Sequence, residues 1–207
     1  MPMGFDLRKY INPCFIETGT YKGDGVNCAL MVGFKKIHSI ELGGVLYKEA
    51  AARFHKEIKS GRVNLYLGDS TKLLPDILAK VDAQATFWLD AHLSTGGENT
   101  VRGDEDVPLL KELDLIGKHK IKTHTILIDD VRLFATKGPE DWSGVTLNKV
   151  IDKLKSINRN YSIHYENGLK ENDVLVAEIR EFNLGKCLYW FNQLTLARVG
   201  RLIKRLA

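Results

Sequence analysis

Short apolar runs alternate with amphipathic stretches along this chain, and no other feature constrains its fold as much. Parallel strands joined by helices leave this pattern, because each strand must be carried back across its sheet before it can pair in parallel. The spacing predicts strands over Cys14–Thr18, Ile37–Glu41, Val63–Leu67, Thr86–Asp90 and His124–Ile128. It predicts helices from about Gly23 to Val32 and from about Val45 to Lys59, the latter closed by Gly61. A short helix starting at Pro75 and ending near Lys80, one from Pro108 to about Ile116 and one from Val145 to Ile157 complete the set. The ending differs. Tyr161–Tyr165 alternates, residues 166–172 are polar, and Asp173–Ile179 is apolar again. That connection is too short for a helical crossover, so the last two strands pair antiparallel. The expectation is a doubly wound α/β fold, with a mostly parallel seven-stranded sheet closed by a C-terminal antiparallel hairpin.

At 207 residues, with 44% hydrophobic and 27% charged residues, the chain can bury the core of one such domain. The net charge of +4 is carried by the last ten residues, where Arg198, Arg201, Lys204 and Arg205 meet no acid. The rest is near neutral, which argues against nucleic acid as a partner. Cys14, Cys28 and Cys187 are odd in number and form no CxxC pair, so neither a disulfide framework nor a zinc site is expected. The N-terminal stretch has no apolar signal core, Pro2 excludes N-myristoylation, and no apolar run is long enough to span a bilayer. A cytoplasmic location fits.

The residues with chemistry cluster at predicted strand ends. Glu17-Thr-Gly-Thr-Tyr-Lys-Gly23 follows the first strand and opens a helix. Gly19 and Gly23 let a ligand approach the backbone, and Thr20 lies between them. The spacing is not GxGxxG, and no Lys-Ser/Thr pair follows, so this is no phosphate loop. An acid at its start favours the cationic amino-acid end of S-adenosylmethionine over phosphate; the competing reading is a plain tight turn. Glu41 ends the second strand, where an acid can accept from both ribose hydroxyls of an adenosine ligand. Asp69 and Ser70 end the third, beside an adenine or as a helix cap.

Asp90 ends the fourth strand, and Asp129 and Asp130 the fifth. Three converging carboxylates repel one another unless a cation lies between them, and Mg²⁺ or another hard divalent cation takes such ligands. Otherwise Asp129 caps a loop and Asp130 is solvated. His92, two residues past Asp90, stands where a general base is useful, although a lone histidine can equally be a surface residue.

Together, Glu17-Thr-Gly-Thr, Ser39-Ile-Glu41, Gly68-Asp-Ser70, Trp88-Leu-Asp-Ala-His92 and Ile126-Leu-Ile-Asp-Asp130 resemble the class I S-adenosylmethionine-dependent methyltransferases. The Asp90 and Asp129-Asp130 arrangement is similar to metal-dependent O-methyltransferases of the macrocin (sugar) type. Leu93–Glu98 and Glu105–Pro108 resemble an uncharacterised bacterial and phage group of them. The resemblance covers about residues 12–180. It implies a Rossmann-like fold in which Glu17, Gly19, Thr20, Gly23, Glu41, Asp69, Ser70 and Asp90 hold S-adenosylmethionine. Asp90, Asp129 and Asp130 would hold the metal, and His92 with Asp90 would serve catalysis on a hydroxyl of a glycan or small molecule. Residues 93–106 read as a lid or acceptor loop. The methyltransferase domain would span residues 1–184. Residues 185–207 read as an amphipathic basic helix that packs on its own domain or a dimer mate, or lies on an anionic membrane. The rival readings are a nicotinamide-dependent oxidoreductase, disfavoured by the glycine spacing and the hairpin, and a non-catalytic cofactor-binding module of the same fold.

Overall fold

A computed structural model describes residues 5–179. The helix expected over 185–207 lies outside the described residues, as does Cys187. Strands β1 (Cys14–Thr18), β2 (Lys36–Glu41), β3 (Val63–Leu67), β4 (Ala85–Leu89), β5 (Thr125–Ile128), β6 (Ser162–Glu166) and β7 (Val174–Glu178) form one sheet. Their spatial order is β3-β2-β1-β4-β5-β7-β6. The first five strands are mutually parallel, and β7 inserts antiparallel to both β5 and β6. The terminal hairpin is therefore present, with its second strand innermost.

The sheet separates two cores, and the pleat decides which side chain enters which. Ile16, Phe87, Ile126, Ile128, Leu175 and Ala177 face helices α4 (Ser70–Leu78), α5 (Leu109–Lys118) and α6 (Leu147–Ile157). Their neighbours Phe15, Trp88, Leu127 and Val176 face α1 (Asp24–Val32), α2 (Gly44–Arg53) and α3 (His55–Lys59). With β1, β4 and β5 buried along their whole length, polar chemistry is confined to strand ends.

Two helices depart from their expected outlines. The single helix expected over 45–59 is broken at Phe54, whose backbone leaves helical geometry (φ −107°, ψ 24°) as its ring enters the second core. The helix expected to start at Pro75 starts at Ser70, because the Asp69 side chain caps it by accepting from Thr71 N at 2.8 Å. Pro75 lies inside the helix and leaves the Thr71 carbonyl without its ladder donor.

At the opposite edge of the sheet from those strand ends, a chain of hydrogen bonds fixes two buried histidines. Ala85 N donates to His124 Nδ1 at 3.0 Å, the His119 and His124 rings meet at 2.8 Å, and His119 Nε2 reaches the Val81 carbonyl at 3.1 Å. Val81 O and Ala85 N–H each have one role, so both rings are neutral, with the proton of each on Nε2. Burial, with the charge of Lys122 nearby, lowers the pKa of His124 to about 4. The unfolded chain takes this proton near pH 6.5, whereas the folded chain does so only near 4, so stability is lost as pH falls across that window. His124→Gln should therefore be less stable than the parent at pH 7. The gap should narrow by on the order of 2 kcal/mol by pH 4. Urea unfolding of both proteins between pH 7 and 4 measures this; a gap independent of pH would show that His124 does not carry the linkage.

Candidate functional site

A cleft of about 470 Å³ opens at the carboxyl ends of β1, β2, β4 and β5. Open α/β sheets bind ligands at this edge. Gly19, Glu41, Asp69, Ser70, Asp90, His92, Asp129 and Asp130 line it, as the sequence pattern anticipates. Glu17, Thr20 and Gly23 do not. They build the loop from beneath. Ser39 Oγ donates to Glu17 Oε2 at 2.6 Å, which leaves Thr20 Oγ1 to donate to Ser39 Oγ at 2.6 Å. Burial pushes the Glu17 carboxyl up to about 8, against the pull of the Ser39 bond. Its Oε1 fills the space that a side chain at Gly25 would need. Gly23, at φ +84°, is the N-cap of α1, and its N–H bonds the Thr20 carbonyl.

Gly19 forms the floor where the loop crosses β4. Its φ is +84°, and a Cβ there would lie 2.5 Å from the Asp90 carbonyl oxygen. Its N–H donates to the Ile40 carbonyl at 3.0 Å, which ties the loop to β2. Glu41 forms one wall. It is 6% exposed and accepts from Tyr21 N at 2.7 Å on one oxygen and from Gly43 N at 2.8 Å on the other. Burial raises its pKa, and these backbone bonds counteract the rise. Each oxygen keeps a lone pair beyond its backbone bond. Asp69 faces the cleft but spends Oδ1 on Thr71 N and Oγ1, the cap that the alternative reading expected. Ser70 is buried.

The opposite wall is acidic. Ligand atoms of Asp90, His92 and Asp130 lie within 4.8 Å of one another, as do those of Asp129, Asp130 and Asp173. Asp130 thus joins the expected trio through two overlapping groups, one of which includes Asp173. His92 Nε2 lies 2.8 Å from Asp130 and 3.6 Å from Asp90, and its Nδ1 lies 3.3 Å from Glu140. Burial alone would lower its pKa, but the bonds to Asp130 and Asp90 outweigh that and push it up to about 11. In this arrangement His92 is a cation between carboxylates and has no lone pair with which to accept a proton, which differs from the expected general base. Arg132 bridges Asp130 and Asp173. Burial, together with Asp90 and Asp130, pushes the Asp129 carboxyl up to about 7.

Several lining residues carry little sequence signal. Leu42, Arg132, Glu140 and Leu169 line the cleft but belong to no motif. Asp173, 1% exposed, accepts from Arg132 N and Nη1. Its one signal is its position as an acid opening an otherwise apolar strand. That grip holds the turn in which Asp130 adopts a left-handed backbone, φ +61°.

No protein-family model matches the chain, and no curated protein matches it either. Solved structures do resemble it. The O-methyltransferase TomG of Streptomyces achromogenes, in complex with SAM, aligns with a TM-score of 0.54 at 14% identity, over 84% of this chain and 76% of that one. The SAH-bound methyltransferase PaMTH1 of Podospora anserina aligns with a TM-score of 0.56 at 13% identity, over 84% and 75%. A Clostridium thermocellum structure described as a putative rRNA-methylase aligns with a TM-score of 0.56 at 12% identity, over 83% and 92%. At these identities the likeness is one of fold, and the fold is that of class I methyltransferases.

Gly19→Ala should lower stability by about 2–4 kcal/mol, because it adds left-handed strain to a clash with backbone that cannot swing away. Urea unfolding measures it. Unchanged stability would mean that the loop does not rest on β4 as described.

Proposed function

We propose that this chain is an S-adenosylmethionine-dependent methyltransferase acting on a hydroxyl group, of a sugar or another hydroxyl-bearing metabolite. The observation that carries the reading is Glu41. A buried carboxylate at the end of β2, held by two backbone N–H groups, faces a cleft floored by Gly19. Its remaining lone pairs suit the two ribose hydroxyls of the cofactor, and the Gly19 backbone suits the approach of its methionine end. Asp69 and Ser70 would flank the adenine. The SAM- and SAH-bound fold neighbours support the cofactor. The inserted antiparallel β7 disfavours the nicotinamide alternative, whose domains continue with parallel units. A non-catalytic module would bind the cofactor without turning it over.

The acidic wall fits a divalent cation. Asp90, Asp129, Asp130, Asp173 and Glu140 face only His92 and Arg132 as cations among the described residues around them, so negative charge is in surplus. Asp90, Asp129 and Asp130 would hold the ion, which when bound supplies a Lewis acid for the acceptor oxygen. Asp173 and Arg132 fix Asp130, and His92 spans Asp90, Asp130 and Glu140. Residues 93–106 cover the cofactor half of the cleft.

Glu41→Ala should weaken S-adenosylhomocysteine binding by about 1–3 kcal/mol, through loss of the ribose hydrogen bonds. Calorimetry, with a ligand-free thermal melt to separate loop collapse from lost contacts, checks this. Parental affinity in the variant would remove the ribose assignment.

The ion is tested separately. Mn²⁺ should bind the S-adenosylhomocysteine complex, and Asp129→Asn and Asp130→Asn should each weaken it at least about tenfold. Methyl transfer from labelled cofactor to a glycan panel should stop in excess chelator and return with Mg²⁺. Full turnover in chelator would overturn the metal.

A further inference from the structure

We propose that Glu112 and a small cavity beside it form an internal site for one water molecule, through which Glu112 positions the carboxylates of Asp90 and Asp129. Glu112 stands in the first turn of α5 and is 1% exposed. One oxygen, Oε2, lies 3.4 Å from the Thr18 hydroxyl. The other, Oε1, is buried with no hydrogen-bond partner, the one such side-chain atom among the described residues. A buried acceptor left unpaired costs about 1–3 kcal/mol, so the position calls for a donor.

The surroundings supply room for one. A cavity of about 10 Å³ adjoins Glu112 and is bounded by Asp90, His92 and Asp129, with Leu89, Val107, Ile128 and Trp142 among its apolar walls. That is close to the smallest space that holds one water, and empty cavities of this kind are apolar, whereas this one has four polar residues at its boundary. A water has two hydrogens: one can go to Glu112 Oε1 and the other to Asp90 or Asp129, two carboxylates with acceptor capacity and no donors of their own when ionised. Glu112 would then serve both halves of the cleft. Directly it holds Thr18, next to the Gly19 floor. Through the water it holds the acidic wall. Burial pushes the Glu112 carboxyl up to about 7, which a water accommodates in either state, since it can donate to the carboxylate or accept from the acid. The water site stands on geometry alone; its role in positioning a reactive wall rests on the methyltransferase reading.

The test is a set of high-resolution crystal structures of the full chain, with Mn²⁺ titrations of the same proteins. The parent should show one ordered water within hydrogen-bond distance of Glu112 Oε1. Glu112→Gln, which can donate or accept, should keep the water and both carboxylate positions. Glu112→Leu, and Val107→Ile from the opposite wall of the cavity, should lose the water, shift Asp90 or Asp129, and lower Mn²⁺ affinity about tenfold or more. The second of these leaves Glu112 in place and serves if the first does not fold. A dry cavity in the parent, or unmoved carboxylates in the dried variants, overturns the proposal. A parent that binds neither S-adenosylhomocysteine nor Mn²⁺ overturns the methyltransferase reading instead, and the same crystals still decide the water and the carboxylate positions.

Discussion

Glu17, Glu41, Glu112, Asp129, Asp130 and Asp173 are all buried at or beside the carboxyl ends of the central strands, and each must be compensated where it stands. An ionised carboxylate removed from water without partners is among the most costly groups a fold can hold. The chain compensates them differently, and the differences sort structural acids from chemical ones. Asp173 has Arg132, and Asp130 has both Arg132 and His92. Glu17 has the hydroxyl of Ser39 and faces no ligand space, so it acts as a brace under the glycine loop. Glu41 has two backbone donors, which hold it in place and leave acceptor capacity toward the cleft. Asp129 has one backbone donor from Asp130 and like charges around it, and Glu112 has an oxygen with no partner. The least compensated acids are those beside the acceptor half.

That gradient follows from the sheet. Strands buried on both faces carry little charge along their length, so the acids gather at the strand ends, Glu17 and Glu41 in the last two positions of their strands and Asp90 and Asp129 just past theirs. Pairing in register puts Glu17 beside Ser39 and Trp88, and places Asp90 and Asp129 next to each other just beyond Leu89 and Ile128. The antiparallel β7, pairing with β5, brings Asp173 to the same edge from the other direction. One chain thereby assembles an acidic wall from residues far apart in sequence.

Strand positions were legible because apolar runs and their polar terminators are local signals. Observed strand bounds differ from expectation by a residue or so, and Gly19, Glu41 and Asp90 fell at the cleft because strand ends do. Side-chain direction was not legible. Glu17 ends β1 as plainly as Glu41 ends β2, yet it turns under the loop, because Gly25 leaves room for its carboxyl there and Ser39 pairs across at that register. Position alone suggests a base at His92, but what raises its pKa is Asp130, 38 residues away in sequence, together with Asp90. The start of α4 was misplaced for a related reason: Pro75 is a strong helix-start signal, and the Asp69 cap outweighed it.

Residues 93–106 show how the cleft can be both covered and open to exchange. The loop is pinched at its base, where Leu93 N donates to the Asp106 carbonyl at 2.9 Å. The tip reaches both flanks of the cofactor half: Glu98 pairs with Lys22 of the glycine loop at 3.1 Å, and Asp104 with Lys72 of α4 at 2.8 Å. All four side chains are exposed, and exposed pairs contribute about 0–1 kcal/mol each and weaken with salt. The loop is also tied to the acidic wall, where Thr95 N donates to Glu140 Oε1 at 2.9 Å, so the two exposed pairs are the weaker of its attachments. The neck is tied to the same wall, since Asp106 accepts from Asp141 N, beside the Glu140 that meets His92. The cover of the cleft and its acidic wall therefore meet at one neck, and in the proposed methyl transfer that neck would link closure over the cofactor to the arrangement of the acceptor.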